Sequence, residues 1–391
     1  MAAGAWSRMR PFTDTTPKPL LKICGKTIIE HNIENIASEF EDIYMIVKYK
    51  SEVFREYFGA EYKWKKIHYI EQWKQNGTGA AILSLKGKID GAFIIVSGDD
   101  IYDSTDILSL RDTPWYATLC KGVDSPSNFG IFVMEWDGKP VSIVEKPTDP
   151  TLGNLANIGN HKLDSNIFAD LEKITLSSRW ELEITDLIAT YMREGRYSVV
   201  EARWRWITIG YPWDLLKANE SIIGSYTQTI NHGALIEDHV TIKGSVYLEE
   251  GVILKSGTYI EGNVYFGKNC EVWPYSHIRG NTSLGNDTKV GSFSEVKNCY
   301  LDDDTVIAQN AVIVDTIAGK NVNFASGTIT TNWRHDNQNI RALSQWTLTD
   351  TGRRKLWAIV GDNVRFGANT ITYPGRTIPT DGTTLPGEIV K

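Results

Sequence analysis

Residues 234–296 read ALIEDHVTIKGSVYLEEGVILKSGTYIEGNVYFGKNCEVWPYSHIRGNTSLGNDTKVGSFSEV, and this stretch repeats every six residues. Each sixth residue in it is apolar: Ile236, Ile242, Leu248, Leu254, Ile260, Phe266, Val272, Ile278, Leu284, Val290 and Val296. The residue two places before each of these is small or β-branched: Ala234, Val240, Val246, Val252, Thr258, Val264, Cys270, Ser276, Thr282, Thr288 and Ser294.

A period of six residues cannot stay on one face of an α-helix, but short strands separated by turns can keep it. The pattern therefore predicts a parallel β-helix, with large apolar residues on its axis and small ones at its corners. An irregular β-sandwich is the alternative, and the unbroken series disfavours it. The series breaks near Leu301, resumes around Ile307 and Ile313, and returns at Val360 and Phe366. We expect residues 333–354 to be an insertion that leaves the coil as a loop.

The chain before the repeats has a different character, in which predicted helices alternate with apolar strands. Such alternation is typical of an α/β sheet covered by helices. The change near residue 230 predicts two domains, residues 1–228 and residues 229–391. The predicted helices are Ile28–Ala37, Ala80–Lys86, Leu182–Glu194 and Pro212–Ile223; the predicted strands are Asp42–Lys48, Ala92–Ser97, Ile131–Trp136 and Pro140–Lys146.

The composition of the 391-residue chain describes an ordinary soluble protein, with 41% hydrophobic and 23% charged residues. A net charge of -7 argues against broad affinity for nucleic acid or for anionic membranes. The four cysteines are scattered, which disfavours a disulfide framework or a zinc site and fits a reducing cytosol. We see no signal peptide and no apolar stretch near the length of a membrane helix. The sequence thus predicts a cytoplasmic protein without nucleic-acid or membrane partners.

The six-residue repeat resembles that of the hexapeptide-repeat transferases. The resemblance implies a left-handed parallel β-helix shaped as a triangular prism, with three repeats per coil. This handedness is an exception to the general rule for crossover connections. The resemblance also implies a homotrimer with sites between neighbouring prisms.

Residues 2–20, AAGAWSRMRPFTDTTPKPL, resemble the signature of the sugar-1-phosphate nucleotidyltransferases. The match in type and spacing is carried by Gly4, Arg8, Pro11, Thr13 and Lys18. Backbone N–H groups of such a loop can face phosphates, and the two basic side chains can neutralise them. A chance glycine-containing loop is a weaker interpretation, because further segments of the same family follow in order.

Those further segments imply a nucleotide site, a metal ligand and a sugar site. The chain EQWKQNGTG from Glu71 to Gly79 resembles the base-contacting segment, and Gly98-Asp99 resembles the metal-binding pair at a strand end, where α/β sheets bind ligands. Residues 128–130, 144–147 and 157–159 resemble sugar-contacting segments, and residues 206–212 resemble the closing motif. The resemblance implies nucleotide contacts at Ala3, Gly4, Gln72, Gly77 and Thr78, sugar contacts at Gly130, Glu145, Lys146 and Asn157, and catalytic roles for Arg8, Lys18 and Asp99.

The implied reaction joins a nucleoside triphosphate to a sugar-1-phosphate, and the product is a nucleoside-diphosphate sugar plus pyrophosphate. Phosphoryl transfer of this kind depends on positioning and charge neutralisation. Mg²⁺ held by Asp99 is the implied cofactor. Gln72 suits uracil and thymine equally.

The first domain departs from the family pattern in three places. The family has an apolar strand before the signature, so a chain that starts at Met1 suggests a truncated or mis-started chain or a weakened fold. Trp6 stands where a second glycine belongs; glycine there permits φ > 0 and close approach of the backbone, and an indole permits neither cheaply. Thr208 replaces the aspartate that partners Asp99, and a hydroxyl is a weak ligand for a hard dication. Trp180 and Trp357 also stand at family glycines.

The second domain resembles the acetyltransferase half of bifunctional N-acetylglucosamine-1-phosphate enzymes of the archaeal type, which implies acetyl-CoA as a second candidate cofactor. Arg279, Lys297, Asn323 and Asn332 fall on its substrate-contacting positions. The position of the general-base histidine is Gln309, and that of a nearby tyrosine is Val312. An amide cannot take up a proton near neutral pH, so amine activation loses its base.

Three hypotheses follow from these observations. The first is a nucleotidyltransferase whose β-helix serves trimer formation. The second is a non-catalytic paralogue that binds a nucleotide or a nucleotide sugar and acts as a trimeric scaffold or regulator. The third, acetyl transfer as the main activity, is disfavoured by Gln309 and Val312. The ordered matches favour the first hypothesis, whereas Trp6, Thr208 and the early start favour the second.

Overall fold

The computed structural model describes residues 1–391 apart from residues 35, 73–76, 115, 137, 178–179 and 232. The chain packs as two units. The α/β unit comprises Met1–Gly4 and Ile28–Ile207, and the β-helix unit comprises Ala5–Thr27 and Thr208–Lys391. Most of the signature segment thus packs with the β-helix unit, a division that differs from the predicted boundary at residue 228. That boundary stays a prediction about sequence domains.

Short elements make up the chain as far as residue 228. The helices are α1 (Ile28–Ile33), α2 (Ser51–Phe58), α3 (Thr78–Leu83), α4 (Ser104–Ser109), α5 (Ile167–Leu171), α6 (Ile184–Arg193) and α7 (Asp214–Ile223). The strands are β1 (Lys22–Ile23), β2 (Lys26–Thr27), β3 (Ile43–Val47), β4 (Glu61–Tyr62), β5 (Lys65–Glu71), β6 (Ala92–Ile95), β7 (Ile101–Tyr102), β8 (Tyr116–Gly122), β9 (Gly130–Met134), β10 (Pro140–Glu145), β11 (Leu155–Asp164), β12 (Tyr197–Glu201) and β13 (Trp206–Ile207).

The main sheet of the α/β unit has the strand order β10-β9-β11-β8-β12, and β6 pairs with β11. The order β3-β5-β4 forms a second sheet, in which β3 and β5 are parallel. The Rossmann-like α/β class predicted from the sequence is confirmed. Helix α1 is shorter than predicted because residues Ala37–Glu39 form a separate 3₁₀ turn. The predicted strand at Ala92 ends at Ile95, and Ser97 and Asp99 beyond its end lie in the candidate site.

A cavity of about 670 Å³ lies between β3 and β6 in the α/β unit. Its lining includes Ile46 and Ile94 from these two strands. Met1 and Ala2 lie at one end, where the Ala2 N–H donates to Ile46 O at 2.8 Å and the Gly98 N–H donates to Met1 O at 2.8 Å. The first two residues therefore join β3 to the segment that follows β6.

The coiled region begins at β14. Its strands are β14 (Thr229–Ile230), β15 (Leu235–Ile236), β16 (Thr241–Lys243), β17 (Val246–Leu248), β18 (Ile253–Leu254), β19 (Tyr259–Glu261), β20 (Val264–Phe266), β21 (Glu271–Val272), β22 (His277–Arg279), β23 (Thr282–Leu284), β24 (Lys289–Val290), β25 (Glu295–Lys297), β26 (Tyr300–Leu301), β27 (Val306–Ile307), β28 (Val312–Val314), β29 (Ile317–Ala318), β30 (Asn323–Phe324), β31 (Ile329–Thr330), β34 (Ala358–Val360), β35 (Ile371–Thr372), β36 (Arg376–Ile378) and β37 (Ile389–Val390). A hairpin, β32 (Arg341–Ser344) and β33 (Thr347–Asp350), separates β31 from β34.

Three parallel sheets of eight, six and eight strands form the faces of the coil, so the predicted parallel β-helix is confirmed. Val246 pairs with Val264, which lies three repeats further along the chain, as a coil of three repeats requires. The register then shortens: Leu284 pairs with Leu301 and Leu301 with Ala318, each a single residue short of three repeats. These shorter coils explain why the six-residue series breaks near Leu301.

The predicted roles of the two residue series follow from burial. The axial apolar side chains from Leu248 to Val296 are fully buried in one core, and burial of such a side chain is worth roughly 1.5–3 kcal/mol. Corner hydroxyls are buried too and find backbone acceptors: Ser276 Oγ lies 2.9 Å from both Trp273 O and Gly291 O. A small side chain there avoids overpacking while its hydroxyl satisfies a turn carbonyl.

The insertion at residues 333–354 is more ordered than the predicted loop, because it contains the antiparallel hairpin β32–β33. Its turn residues Gln345 and Trp346 both have positive φ, 47° and 65°. Turns of this geometry usually contain glycine or asparagine, and neither is present here, so the sequence carries no hairpin signal. Among the described residues, no helix is long and apolar enough to cross a membrane.

Candidate functional site

Asp99 lies just beyond the end of β6, beside a bend of β11. Ser97 Oγ donates to Asp99 Oδ1 at 2.7 Å, and the Ser97 N–H donates to Asn160 Oδ1 at 2.9 Å. Asn157, predicted to contact sugar, accepts the Gly159 N–H at 2.9 Å in the same bend. The antiparallel pairing of β6 with β11 thus brings the predicted metal ligand and one predicted sugar contact into the same part of the α/β unit.

The neighbouring carboxylate, Asp100, has a different environment. Trp206 Nε1 donates to Asp100 Oδ2 at 3.1 Å, and Asn32 Nδ2 donates to Asp100 O at 2.7 Å. Asp100 therefore helps to fix Trp206 and α1. Asn160, which was not predicted from the sequence, is fully buried, and its Nδ2 has no hydrogen-bond partner among the described residues. Asn160 directly follows the predicted sugar-contacting segment Asn157–Gly159, and this position in the sequence could have indicated it.

The predicted base-contacting segment is only partly described, because residues 73–76 lie outside the described residues. Gln72 is buried, and its Nε2 donates to Gly77 O at 3.2 Å. Gly77 has φ 102°, and a Cβ there would lie 2.4 Å from Leu182 O. Thr78 Oγ1 accepts the Ile184 N–H at 3.3 Å. These contacts give Gly77 and Thr78 a packing role at the start of α3; their nucleotide contacts stay predictions.

The predicted sugar-contacting residues Gly130, Glu145 and Asn157 lie on the adjacent strands β9, β10 and β11. Glu145 is paired directly with Gly130, where a Cβ would lie 2.7 Å from Glu145 Oε2. Lys146 follows at φ 48° and is exposed, with its N–H bonded to Phe129 O. Glycine at 130 therefore leaves the space that the Glu145 carboxylate occupies.

The basic residues of the signature lie in the β-helix unit, near the last residues of the closing motif. The Arg8 guanidinium carbon lies 5.3 Å from the centre of the Tyr211 ring. Lys18 is buried and close to Asp214, which also accepts the N–H groups of Gly210 and Tyr211 at 2.8 Å. Burial raises the pKa of Asp214, and those backbone donors and the Lys18 charge oppose the rise.

Ala3, Gly4 and Trp6 form the start of the signature. Ala3 and Gly4 pack with the α/β unit, and Gly4 is exposed. Trp6 has φ 46°, the left-handed conformation that suits glycine, and its carbonyl accepts the Thr13 hydroxyl at 3.0 Å. The backbone at residue 6 thus keeps the conformation expected of a glycine although a tryptophan occupies it.

The donor set at Asp99 fits a magnesium ion that is bound mainly by substrate. Among the described residues, no group of three His, Cys, Asp or Glu side chains could hold a metal by itself. Mg²⁺ often binds through one or two carboxylates plus substrate phosphates and keeps several waters. A single half-buried carboxylate at a strand end meets that requirement, and Asp99 is the residue that would hold the ion.

The acetyltransferase-like positions of the β-helix are held by neighbouring coils. Arg279 pairs with Glu295 through Nε at 2.7 Å and Nη2 at 2.6 Å, and Lys297 lies beside Arg279 in register. Asn332 Nδ2 donates to Asp315 Oδ2 at 2.5 Å. Glu295 and Asp315 were not predicted, although a spacing close to one coil from Arg279 and Asn332 would have indicated them.

Gln309 and Asn323 are exposed on the coil. Gln309 precedes the corner at Asn310, which has φ 59°, and Asn323 begins β30. The assignment of Gln309 to the position of the general base stays a prediction.

Comparisons with known proteins agree with both units. A family model described as Nucleotidyl transferase matches residues 1–224, and one described as Bacterial transferase hexapeptide (six repeats) matches residues 263–298. The chain is 37% identical over 377 residues to bifunctional protein GlmU of Methanocaldococcus jannaschii, covering 96% of this chain and 90% of the relative. It is 42% identical over 377 residues to the protein of the same name from Methanococcus maripaludis strain C7, with the same coverage.

A further relative is the bifunctional sugar-1-phosphate nucleotidylyltransferase/acetyltransferase of Sulfurisphaera tokodaii, 36% identical over 397 residues, covering 100% of this chain and 96% of the relative. Among solved structures, a protein described as a glucose-1-phosphate thymidylyltransferase from Bacillus anthracis matches with a TM-score of 0.52 and 25% identity. That match covers 59% of this chain and 95% of the other.

Proposed function

This chain belongs to the nucleotidyl transferase family, and on that premise we propose that it transfers a nucleotidyl group from a nucleoside triphosphate to a sugar-1-phosphate. The observation that carries the proposal is the cluster in the α/β unit. Asp99 follows β6 beside the Asn157 bend, and Glu145 is paired with Gly130 on adjoining strands. A metal-binding carboxylate and polar sugar contacts at neighbouring strand ends suit this reaction.

In the proposed reaction, an oxygen of the sugar phosphate attacks the α-phosphorus in line, and pyrophosphate leaves. Arg8 and Lys18 neutralise the phosphates, Lys146 attracts the sugar phosphate, and Glu145 accepts sugar hydroxyls. The family generally depends on a metal, and Mg²⁺ held by Asp99 with the triphosphate would neutralise charge on the phosphate oxygens. Gln72, Gly77, Thr78, Ala3 and Gly4 are the proposed nucleotide contacts, with a uracil or thymine base.

We do not extend the proposal to acetyl transfer. Arg279, Lys297, Asn323 and Asn332 retain the residue types of an acetyl site, but Gln309 and Val312 replace its base and tyrosine. Acetyl-CoA therefore stays a candidate ligand of the β-helix rather than a substrate that it consumes.

We also propose that the chain forms a homotrimer through the β-helix, in the cytosol. Tyr275 and Phe293 stack at 5.5 Å on consecutive coils and are 63% and 62% exposed. Exposed aromatic residues of this kind favour an interface between copies. Light scattering at micromolar concentration should give three times the chain mass; a monomer would contradict this proposal.

Pyrophosphate release tests the enzymatic proposal. The chain is assayed with UTP, dTTP, ATP and GTP, each with Mg²⁺ and a panel of hexose-1-phosphates. We expect release that requires both substrates, strongest with UTP or dTTP. A thermal shift with the same triphosphates distinguishes the alternative: stabilisation by nucleotide without any pyrophosphate release would support a non-catalytic nucleotide-binding scaffold instead.

A further inference from the structure

The β-helix contacts the signature segment directly, through a buried carboxylate. Thr15 Oγ1 donates to Asp362 Oδ2 at 2.5 Å, although the two residues lie far apart in the sequence. Asp362 is only 7% exposed, and it begins the coil that follows β34. A hydroxyl–carboxylate bond of this length is charge-assisted and stronger than a neutral hydrogen bond.

Asp362 is itself held in place by the coil, independently of Thr15. Its Oδ1 accepts the Lys320 N–H at 2.9 Å, and its backbone carbonyl accepts the Asp381 N–H at 2.9 Å. Oδ1 of Asp362 is thus bonded within the coil, and Oδ2 is bonded to Thr15 of the signature. Because packed coils deform little, Asp362 provides a fixed point for Thr15.

Through its bond to Asp362, Thr15 holds the part of the signature that contains Lys18 against the coil. It ends the 3₁₀ turn Phe12–Asp14, and Lys18 follows it closely in the sequence. A second coil contact lies on the other side of Lys18: Lys22 Nζ bonds to Asp303 Oδ2 at 2.5 Å, with both side chains at most 20% exposed. The buried Lys18 therefore lies between two points at which the β-helix holds the chain.

We propose that Asp362 is a positioning residue for nucleotidyl transfer, which holds Thr15 so that Lys18 is presented to the triphosphate. This inference rests on the proposed function. It assigns the β-helix a part in the nucleotidyl reaction, which is a reason to retain the coil even where Gln309 removes the base for acetyl transfer.

Asp362→Asn tests the assignment sharply. An asparagine has one acceptor oxygen in place of two, so it cannot serve the Lys320 N–H and the Thr15 hydroxyl as the carboxylate does. Asp381→Asn is the matched control, because Asp381 lies on the adjoining coil, is exposed, and accepts from Asn363 Nδ2 at 2.9 Å. Thr15→Val removes the other partner of the bond, and Thr15→Ser keeps the hydroxyl.

We expect Asp362→Asn and Thr15→Val each to raise the KM for the triphosphate about 10-fold, with a smaller loss in kcat. The double variant should be no worse than either single variant, since both remove one bond. Thr15→Ser and Asp381→Asn should resemble the unaltered chain. Equal kinetics for Asp362→Asn and Asp381→Asn, or additive effects in the double variant, would overturn the assignment.

Amide hydrogen exchange separates this inference from the proposed function. Asp362→Asn should raise exchange at residues 12–18 at least several-fold, and Asp381→Asn should not. If the unaltered chain releases no pyrophosphate, the proposed function fails, and unchanged exchange at residues 12–18 would reject the positioning role as well. Increased exchange in an inactive chain would show that Asp362 orders the segment but would overturn its assignment to the reaction.

Discussion

Residues with positive φ occur both in the coils and in the rest of the chain, but the residue types at these positions differ. Apart from glycine, most residues in the left-handed conformation in the coil are asparagine or aspartate, as at Asn269, Asp287 and Asn310, with Tyr275 and Phe293 among the exceptions. Outside the coils, tryptophans are among the residues at such positions: Trp6, Trp64, Trp180 and Trp346 have φ between 46° and 68°. Asparagine and aspartate tolerate this conformation because their short polar side chains can bond locally, whereas an indole gains nothing there.

Strand pairing is also more regular in the coils than in the α/β unit. Each inner strand of the coil pairs with a strand on either side. In the α/β unit, the cavity interrupts the succession between β3 and β6. We therefore expect the α/β unit, which contains Asp99, to unfold more readily than the coils.

The largest expected effect is at Gly77 in the α/β unit. Gly77→Ala would place a Cβ 2.4 Å from Leu182 O at φ 102°, so we expect a loss of about 3 kcal/mol or more from strain and overpacking. Gly87→Ala is the control: its φ is 72°, but nothing lies within 4 Å of the added Cβ. It should cost only about 1–2 kcal/mol. Urea unfolding measures both, and equal losses would refute the close-packing argument.

Filling the cavity should reduce the difference in stability that we expect between the coils and the α/β unit. An apolar, β-branched segment of about five residues, the length of an ordinary strand, is joined ahead of Met1. It should add a strand between β3 and β6, because Met1 and Ala2 already bond to both sides. Burial of four or five such side chains, at about 1.5–3 kcal/mol each, should exceed the ordering cost of about 1–2 kcal/mol per residue and leave a net gain of about 2 kcal/mol.

The Tm of the extended chain should accordingly rise by about 4–8 °C. A Gly/Asp segment of equal length is the control, and it should give no rise because it has no apolar side chains to bury. If the Gly/Asp control raised the Tm as much as the apolar segment does, the gain would not come from filling the cavity.

A pH-dependent effect is expected within the coil, at Asp302. Burial, and then the charge of Asp303, raise the pKa of Asp302 to about 6. Because folding favours the protonated form, Asp302 destabilises the folded chain above pH 6, and this penalty disappears as the pH falls towards 4. Asp302→Asn should therefore stabilise the chain at pH 7.5 by about 1–3 kcal/mol and change little at pH 4.

Denaturant midpoints of the two proteins across pH 4–8 measure that difference. The asparagine keeps the acceptor for the Asp303 N–H, which lies 2.8 Å from Asp302 Oδ1. A stability difference that does not vary with pH would contradict the buried-carboxylate explanation.

The smallest expected effect concerns the exposed tryptophans. Trp64 and Trp346 are 95% and 93% exposed, with φ 68° and 65°. Trp64→Gly and Trp346→Gly should each stabilise the chain by about 0.5–1 kcal/mol, since relief of left-handed strain exceeds the entropy cost of glycine. Asn310→Gly, at a coil corner with φ 59°, should change stability by less. Similar gains at all three sites, measured by urea unfolding, would remove the distinction between the coil corners and the other turns.

The coils and the α/β unit also differ in how much of their structure could be predicted from the sequence. The coil was predictable because its period is local, and even its irregularity near Leu301 follows from coils that are a single residue shorter. The alternation of predicted helices with apolar strands predicted the α/β class. The neighbourhood of Asp99 could not be derived, because it depends on the pairing of β6 with β11, a strand far along the chain.

Other features left no periodic signal at all. The Thr15–Asp362 bond joins distant parts of the chain, and the packing of residues 5–27 with the β-helix unit depends on such contacts. The hairpin at Arg341–Asp350 was missed because its turn uses Gln345 and Trp346 in place of the usual glycine or asparagine.

The central claim, that the chain is a nucleotidyltransferase working through Asp99, is tested most directly by pyrophosphate release from Asp99→Asn and Asp100→Asn. Asp100 is the adjacent carboxylate, and it is bonded to Trp206. With both substrates and Mg²⁺ present, we predict that Asp99→Asn lowers kcat by about 10²-fold or more and that Asp100→Asn lowers it far less. Equal rates for Asp99→Asn and the unaltered chain, or no release from any of the three folded proteins, would contradict the account.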